Sequence, residues 1–298
     1  MLNVKKILEE NFTGEFFSFY AFAFFNKKEI NCFGNEEMLF DLASLTKPLV
    51  MFSLFLKNPE LFGPDEHLAL LEHRSGMKAH ALLNKYSYSS FLERQYQERE
   101  QGLEVYSDLG FLYLQQKIES ESGLLLEDFY RKNLLPQNLF WWRDLTGEQR
   151  LKCAVTGMRN QKKIQGDVHD DNAFNLKKFC CHAGLFSTVK DLARFIQSWS
   201  NDKKVQHLLQ ERDARSNSQR FLLSFERAEK ENSLAGEIKG RKVVGHLGFT
   251  GTSFWFDIET GEGLVLLTNA TQKFIHERTE LNRLRRCLGS FVWKECRK

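Results

Sequence analysis

The stretch that decides the fold is "FDLASLTKP", residues 40–48, in which Ser44 and Lys47 stand three residues apart before the apolar run "LVMFSLFL". Residues at this spacing lie on one face of a helix, close enough for their side chains to meet. Pro48 lacks an N–H and is tolerated only within a first helical turn, so the helix must begin within about one turn of Ser44. Because the following run is apolar on all sides, we expect this helix to be buried.

A serine and a lysine at this spacing have two interpretations. The simpler one is a serine at a helix start with a solvated lysine, since short motifs often occur by chance. The other is an activated nucleophile. A serine hydroxyl needs a base to remove its proton, and a lysine can be that base if burial or nearby cations lower its pKa. A helix start also offers unpaired N–H groups to a developing oxyanion.

Two later stretches contain side chains suited to the same chemistry. "YSDLGF", residues 106–111, carries Tyr106 and Asp108. They are either an aromatic and an acid at a helix start, or a pair that reaches into a cleft, where a lysine ammonium would lower the pKa of the phenol. "GHLGFTG", residues 245–251, carries His246 and glycines that allow a ligand to approach the backbone. The simpler interpretation is a glycine-rich turn with a surface histidine.

The order S-x-x-K, Y-x-[ND], [KH]-x-G resembles that of the serine β-lactamase and penicillin-binding-protein superfamily, in its class C and esterase-like branch. "LLEHRSGM", residues 70–77, is similar to the family's L-L-x-H-x-S-G turn. "GDVHDDNAF" and "CCHAGLFSTVKDLARF", within residues 166–195, are similar to the segment that precedes its last strands. The resemblance covers most of the chain.

The resemblance implies a role for each matching residue. Ser44 takes the place of the acylated nucleophile, and Lys47 that of the general base for acylation. Tyr106 takes the place of the residue that relays the proton to the leaving group and activates water. The backbone N–H groups of Ser44 and Phe249, with Gly248 beside them, correspond to the oxyanion and substrate-binding positions.

Two features depart from the family pattern. Asp108 stands where an asparagine is usual and would hydrogen-bond Lys47; its charge favours the protonated lysine and shifts the base role toward Tyr106. Leu247 stands where the family usually has a hydroxyl that helps to hold a substrate carboxylate. His246 takes the place of the family's lysine and is mostly neutral at pH 7. Both changes in this third motif weaken the capture of a carboxylate.

The resemblance therefore implies an acyl-serine hydrolase that cleaves an ester or a small amide. Two alternatives stay open. One is a D-alanyl-D-alanine carboxypeptidase or a weak class C-type β-lactamase. The other is a non-catalytic relative that binds a peptide or muropeptide in the same cleft. The expected partner is a small molecule, and the sequence does not give the oligomeric state.

The pattern along the chain predicts an α+β fold, and the resemblance makes it β-lactamase/transpeptidase-like: a mainly antiparallel sheet flanked by helices. Residues 1–60 and 186–298 are expected to form the sheet domain, and residues 61–185 a mostly helical insertion with a cleft between them. A hairpin is expected at about residues 16–33. Further strands are expected in "VVGHLGF", "TSFWFDI" and "GLVLLTNA".

For four helices the sequence predicts either where the helix begins or ends, or which face is buried. "GFLYLQQKIESESG" should end at Gly123, and "LLLEDFYRKNLLP" should stop at Pro136. "STVKDLARFIQSW" should be capped by Ser187 or Thr188. The last helix should bury a stripe made of the following residues: Leu281, Leu284, Leu288 and Val292.

Composition and spacing disfavour several other classes. The net charge of +3 is too small to indicate nucleic-acid binding. "EFFSFYAFAFF", residues 15–25, is too short for a membrane-spanning helix and follows glutamates where a signal peptide would be positive, so we expect a cytoplasmic protein.

Neither the cysteines nor the His/Asp cluster near residue 170 has the spacing of a metal site. The six cysteines contain no CxxC pair and are expected to be free thiols. A 169–182 cluster, consisting of His169, Asp170, Asp171 and His182, matches no known ligand spacing. We therefore predict neither a metal nor a cofactor.

Overall fold

The computed structural model describes residues 2–11, 16–216, 218–228, 232–273 and 275–295. The strands are β1 (Tyr20–Phe25), β2 (Ile30–Gly34), β3 (Phe40–Asp41), β4 (Phe140–Trp141), β5 (Gly157–Arg159), β6 (Lys162–Ile164), β7 (Leu185–Ser187), β8 (Phe221–Leu222), β9 (Phe225–Arg227), β10 (Val243–Leu247), β11 (Ser253–Asp257) and β12 (Gly263–Thr268). The α-helices are α1 (Leu2–Asn11), α2 (Thr46–Lys57), α3 (Asp65–Leu71), α4 (Tyr88–Gln97), α5 (Asp108–Ser122), α6 (Leu126–Asn133), α7 (Gly147–Leu151), α8 (Asp171–Leu176), α9 (Val189–Asn201), α10 (Lys203–Arg215) and α11 (Thr279–Glu295).

The two ends of the chain meet in one antiparallel sheet. Within the described residues it has seven strands, in the order β2-β1-β12-β11-β10-β9-β8. The join is the pairing of β1 with β12, in which Tyr20 lies opposite Thr268 and Phe25 opposite Gly263. The expected hairpin, the three expected strands and the α+β fold class are confirmed.

Both faces of this sheet are covered. Alternate residues of a strand point to opposite faces. Ala21 and Ala23 accordingly belong to the larger core, beneath α9 and the helical middle of the chain, whereas Phe22 belongs to a second core beneath α1 and α11. The stripe predicted for the last helix lies in that second core. Burial on both faces explains why β1 is an unbroken apolar run.

The helix boundaries agree with the sequence at most ends. Gly123 follows α5 with a φ of 71°, and the Thr188 side chain caps α9 by accepting the N–H of Asp191. The expectation that the next helix stops at Pro136 was wrong. α6 ends at Asn133, and Pro136 lies in a separate 3-10 turn, among the first positions where its missing N–H is tolerated.

Two helices outside the segment 61–185, which was expected to be mostly helical, were not predicted, because each buries few apolar side chains. α10 buries Val205 and Leu209 and is otherwise mostly polar. α1 buries Val4 and Leu8. A periodic pattern of two residues is too weak to be distinguished from chance.

Short strands connect the nucleophile stretch to the middle of the chain. β7 pairs with β3 on one side and with β4 on the other. The segment 61–185 therefore contains strands as well as helices, and its division from the rest as a helical insertion stays a prediction.

No helix in the described part of the chain is long and apolar enough to cross a bilayer. The cysteines within that part are free thiols: Cys32, Cys153, Cys180, Cys181 and Cys287. Cys296, and Glu15 at the start of the expected first strand, lie outside the described residues.

Candidate active site

Ser44 lies in a tight turn at the start of α2. The 3-10 turn Ala43–Leu45 runs directly into that helix. Ala43 has a φ of 47°, in the left-handed region that is costly for a residue with a side chain. The buried carboxylate of Asp41 holds the turn, since it accepts the N–H groups of Ala43 at 2.8 Å and His169 at 2.7 Å. The half-buried Ser44 is thereby presented to a cleft.

Lys47 lies beneath Ser44 and is fully buried. Its Nζ donates to Ser44 Oγ at 3.0 Å and lies 2.6 Å from Asp108 Oδ1. The centre of the Tyr106 ring is 4.8 Å from the same nitrogen. Burial alone would lower the pKa of Lys47, but the charge of Asp108, with hydrogen bonds that Lys47 donates to Asp108 and Tyr106, outweighs it and holds the pKa above its usual range. Lys47 is therefore an ammonium in the resting site.

Asp108 is the first residue of α5. Ser107 caps this helix, because its Oγ accepts the N–H of Gly110 at 2.8 Å. Burial would raise the pKa of Asp108, but the Lys47 charge and a hydrogen bond from His80 hold it well below its usual range. With its side chain 19% exposed, Asp108 is an ionised carboxylate at the edge of the cleft.

Tyr106 immediately precedes the cap of α5, and its side chain lines the cleft. Burial raises the pKa of the Tyr106 phenol, and the charge of Asp108 adds to that effect. The charge of Lys47 and hydrogen bonds with Lys47 and Ser44 act in the opposite direction without reversing it. The phenol thus stays mostly protonated at neutral pH, in contact with both members of the S-x-x-K pair.

His246, on β10, is 1% exposed, and its ring centre lies 5.8 Å from that of Tyr106. Nδ1 is 2.8 Å from the carbonyl oxygen of Leu247, so this nitrogen carries the hydrogen and donates. Burial and the Lys47 charge lower the pKa of His246 to about 3. His246 is therefore neutral and supplies no positive charge to the cleft.

His246 should make the protein sensitive to acid. An unfolded histidine has a pKa of about 6.5, so between pH 6.5 and pH 3 the unfolded chain binds a proton that the folded chain does not. The stability that the neutral His246 provides is fully present above pH 6.5. As the pH falls below that value, the free energy of unfolding decreases, by about 3 kcal/mol at pH 4. Denaturant unfolding of wild type and His246→Gln at pH 7 and pH 4 measures it. Acidification should cost the variant less, and equal losses would contradict a neutral buried His246.

The cleft has a volume of about 570 Å³. Lys47 is buried beneath Ser44 and is not among the lining residues. The other motif residues predicted to carry the site line the cleft: Ser44, Tyr106, Asp108, His246, Gly248 and Phe249. Further residues complete the walls: His80, His169, Asp170, Asp171, Ala183, Arg220, Glu226, Leu247 and Thr250, with Ala43 beside the serine.

The glycine-rich turn after β10 passes against the nucleophile turn. The N–H of Gly248 donates to the carbonyl of Thr252 at 2.8 Å, and a side chain at Gly248 would overlap Thr252 and approach the carbonyl of Leu42. Gly248 therefore allows close approach but its N–H is already used. The N–H of Phe249 has no acceptor among the described residues, and the Phe249 ring, half exposed, lies 5.7 Å from that of His169.

Two threonines that the sequence analysis missed connect these turns. Thr250 Oγ1 donates to the carbonyl of Asp41 at 2.7 Å, and Thr252 Oγ1 donates to the carbonyl of Leu42 at 3.1 Å. Both threonines are fully buried. Their position beside the glycine-rich motif was the only signal, and it does not show that they reach residues more than 200 positions earlier.

His73, within the quoted stretch 70–77, supports Tyr106. Its Nδ1 accepts the N–H of Ser107 at 2.9 Å, and its ring centre lies 4.5 Å from that of Tyr106 and 4.6 Å from that of Phe221. Burial lowers the pKa of His73 well below its usual value. A neutral histidine thus fixes the start of α5. The motif match at residues 70–77 gave no role to this histidine.

The side chains of the 169–182 cluster do not all contact one another but pair with different partners. His182 Nε2 lies 3.0 Å from Asp170, and the His182 carbonyl accepts from Lys47 Nζ at 3.4 Å. Burial would lower the pKa of His182, but the Asp170 charge outweighs it and raises the pKa to about 10. Asp171 instead pairs with Arg159 at 2.9 Å. The cluster thus contributes a buried ion pair next to the Lys47 ammonium.

Comparison with known proteins shows where this fold recurs. Residues 68–287 match the model of the Beta-lactamase family. No curated protein sequence matches the chain. A beta-lactamase from Mycobacterium bovis has a similar structure, with a TM-score of 0.64 and 20% identity over 96% of this chain and 98% of that one.

Two further structures are similar over nearly their full lengths. A D-amino acid amidase from Ochrobactrum anthropi SV3, complexed with L-phenylalanine amide, has a TM-score of 0.67 and 16% identity, with 99% of this chain and 98% of that one covered. A class C beta lactamase from Rhodobacter sphaeroides has a TM-score of 0.69 and 12% identity, with 99% of each chain covered. At sequence identities this low, the structural similarity shows only that the fold is shared.

Proposed function

The chain belongs to the Beta-lactamase family, as its motifs predicted, and on this basis we propose that it is an acyl-serine hydrolase in which Ser44 is acylated by an ester or a small amide. One observation carries the proposal. The Ser44 hydroxyl, the buried Lys47 ammonium and the Asp108 carboxylate follow one another at 3.0 and 2.6 Å, and Ser44 and Asp108 line an open cleft. A fully buried lysine that serves only packing would not need a hydroxyl at the cleft surface as its neighbour.

The proton of Ser44 must pass to a group within hydrogen-bond reach. Lys47 already carries its proton, so the proposed acceptor is Tyr106 in the ionised form that the ammonium stabilises. Ser44 Oγ then bonds to the acyl carbon, and Tyr106 returns the proton to the departing alcohol or amine. In the second half, Tyr106 takes a proton from water, whose oxygen attacks the acyl carbon. The bond from that carbon to Ser44 Oγ then breaks, and Tyr106 returns the proton to Oγ.

The oxyanion of each tetrahedral intermediate needs donors that are not already used. The N–H of Phe249 has no acceptor in the described part of the chain, and the N–H of Ser44 lies in the turn that opens α2. These two groups are the proposed donors, because helix starts and tight turns leave backbone N–H groups available.

The substrate proposed for the cleft lacks a carboxylate. His246 is neutral and Leu247 offers no hydrogen bond, so the third motif provides neither of the groups that would hold one. Arg220, which also lines the cleft, lies 2.7 Å from Glu226 and is neutralised by it. Apolar side chains complete the wall beside Ser44: Ala43, Ala183, Leu247 and Phe249. An uncharged acyl group fits such a lining.

A panel of substrates tests this function. We expect wild type to hydrolyse p-nitrophenyl acetate or butyrate, or a small amino-acid amide, more efficiently than nitrocefin or a D-alanyl-D-alanine peptide. Ser44→Ala provides the background. A preference for nitrocefin or the peptide would contradict the substrate class, and no turnover of any compound above background would favour a binding protein.

Leu247→Thr is the matched variant for the panel. A hydroxyl at this position should restore one hydrogen bond to a substrate carboxylate, worth about 1.5–3 kcal/mol. kcat/KM for nitrocefin or the peptide should therefore rise by about tenfold or more, whereas kcat/KM for the neutral ester stays unchanged. An equal change for both classes would show that residue 247 does not discriminate by charge.

A further inference from the structure

Three side chains outside the cleft bring together the atoms of a metal site. Glu66 and His67 lie in the first turn of α3, and Glu121 lies near the end of α5. One carboxylate oxygen of each glutamate and a ring nitrogen of His67 all lie within 4.8 Å of one another. Both glutamates are exposed, whereas His67 is 2% exposed.

The tautomer of the neutral His67 ring is set by the backbone. Its Nδ1 lies 2.7 Å from the carbonyl oxygen of Leu61, which can only accept, so Nδ1 carries a hydrogen. In the neutral ring, Nε2 then holds a lone pair. Nε2 makes no hydrogen bond within the described residues, and it points at Glu121 Oε2, 3.4 Å away. Two electron-rich atoms therefore face each other, and a cation between them would bind both.

The separation favours a metal ion. An N–H···O hydrogen bond usually spans about 2.7–3.2 Å between heavy atoms, so 3.4 Å is long for a shared proton. Two ligands of a tetrahedral zinc ion, each bonded at about 2.0–2.2 Å, lie roughly 3.3–3.5 Å apart. The donation of Nδ1–H to a backbone carbonyl is also the usual outer contact of a metal-bound histidine.

The two glutamates are oriented by outer contacts as well. Glu66 Oε2 accepts from the Tyr96 hydroxyl at 2.8 Å, and Glu121 Oε1 lies 2.5 Å from Lys117 Nζ. Lys117 is the competing cation here. Because both side chains of that pair are partly exposed, the pair contributes little, and it engages the oxygen that does not face His67.

We propose that Glu66, His67 and Glu121 bind a divalent transition-metal ion, with Zn²⁺ preferred and water completing the coordination. Imidazole with carboxylates suits zinc, and the exposed glutamates leave an entry path. Glu121 lies thirteen residues after Asp108 on the same helix, roughly 20 Å along its axis. The ion therefore joins α3 to the far end of α5 and takes no part in the reaction at Ser44.

The test uses the full-length protein, first stripped with a chelator and kept reduced. Zn²⁺ should bind with one-to-one stoichiometry in calorimetry and raise Tm. Co²⁺, used as a spectroscopic probe, should give visible absorption bands without the thiolate charge-transfer band that cysteine ligands would add. Ester hydrolysis should be equal with and without Zn²⁺, so that failure of the metal site and failure of the hydrolase proposal can be told apart.

Surface variants keep the test independent of folding. Glu66→Gln and Glu121→Gln should each raise the Kd for Zn²⁺ by at least about tenfold. His207→Gln is the matched control, because His207 and Glu211 form a similar pair at 3.7 Å on the exposed face of α10, and it should bind Zn²⁺ like wild type. If wild type shows no stoichiometric binding, or if Glu121→Gln binds as tightly as wild type, these three side chains do not form a metal site and the proposal is wrong.

Discussion

Ser44→Ala should lose ester hydrolysis by about four to six orders of magnitude in kcat/KM. Ser44 Oγ accepts from Lys47 Nζ at 3.0 Å and borders the cleft, so its removal leaves no atom to form the acyl bond. A fluorophosphonate should add its mass to wild type and not to the variant, as read by intact-mass spectrometry. Steady-state kinetics with p-nitrophenyl butyrate measure the loss of turnover.

Ser53→Ala is the matched control for this substitution. Ser53 lies on the same helix and its hydroxyl donates to the carbonyl of Leu49 at 2.6 Å, within the buried part of α2. This variant should keep its activity and its label. Labelling of Ser44→Ala to the same extent as wild type would remove Ser44 from the mechanism, whatever the kinetics show.

Lys47→Ala should lower kcat/KM by about two to four orders of magnitude. Without the ammonium, nothing stabilises an ionised Tyr106 beside Ser44, and the proton of the serine has no acceptor. The variant should also be less stable, by about 3 kcal/mol, because Asp108 keeps its charge without its partner. Activity assays and urea unfolding measure the two effects separately, and turnover like that of wild type would reject this role for Lys47.

Asp108→Asn separates charge from hydrogen bonding. Asp108 raises the pKa of both Lys47 and Tyr106, so its neutralisation should move the rising limb of the pH–rate profile to lower pH. The double variant Lys47→Ala/Asp108→Asn should recover most of the lost stability without recovering activity. A profile that moves to higher pH, or does not move, would contradict the proposed transfer of the Ser44 proton to Tyr106.

The local features of this protein could be predicted from the sequence. Residues three apart on a helix meet whatever the rest of the chain does, so the spacing of Ser44 and Lys47 was enough to predict that their side chains are neighbours. The strands β10, β11 and β12 were predicted for the same kind of reason, since short apolar runs between glycine turns specify extended backbone. The family was predicted from motifs of this local kind.

The chemical state of the site was decided only by the tertiary structure. Whether Lys47 is an amine or an ammonium depends on Asp108, 2.6 Å away in space and 61 positions away in the chain, and on complete burial. The neutral His246 and the supporting His73 depend on packing in the same way. The periods of helices and strands follow from the geometry of neighbouring peptide units, so they can be recognised in the order of residues along the chain. The charge of a side chain and its access to solvent depend on which distant segments come into contact. A sequence pattern does not give the distances between such segments.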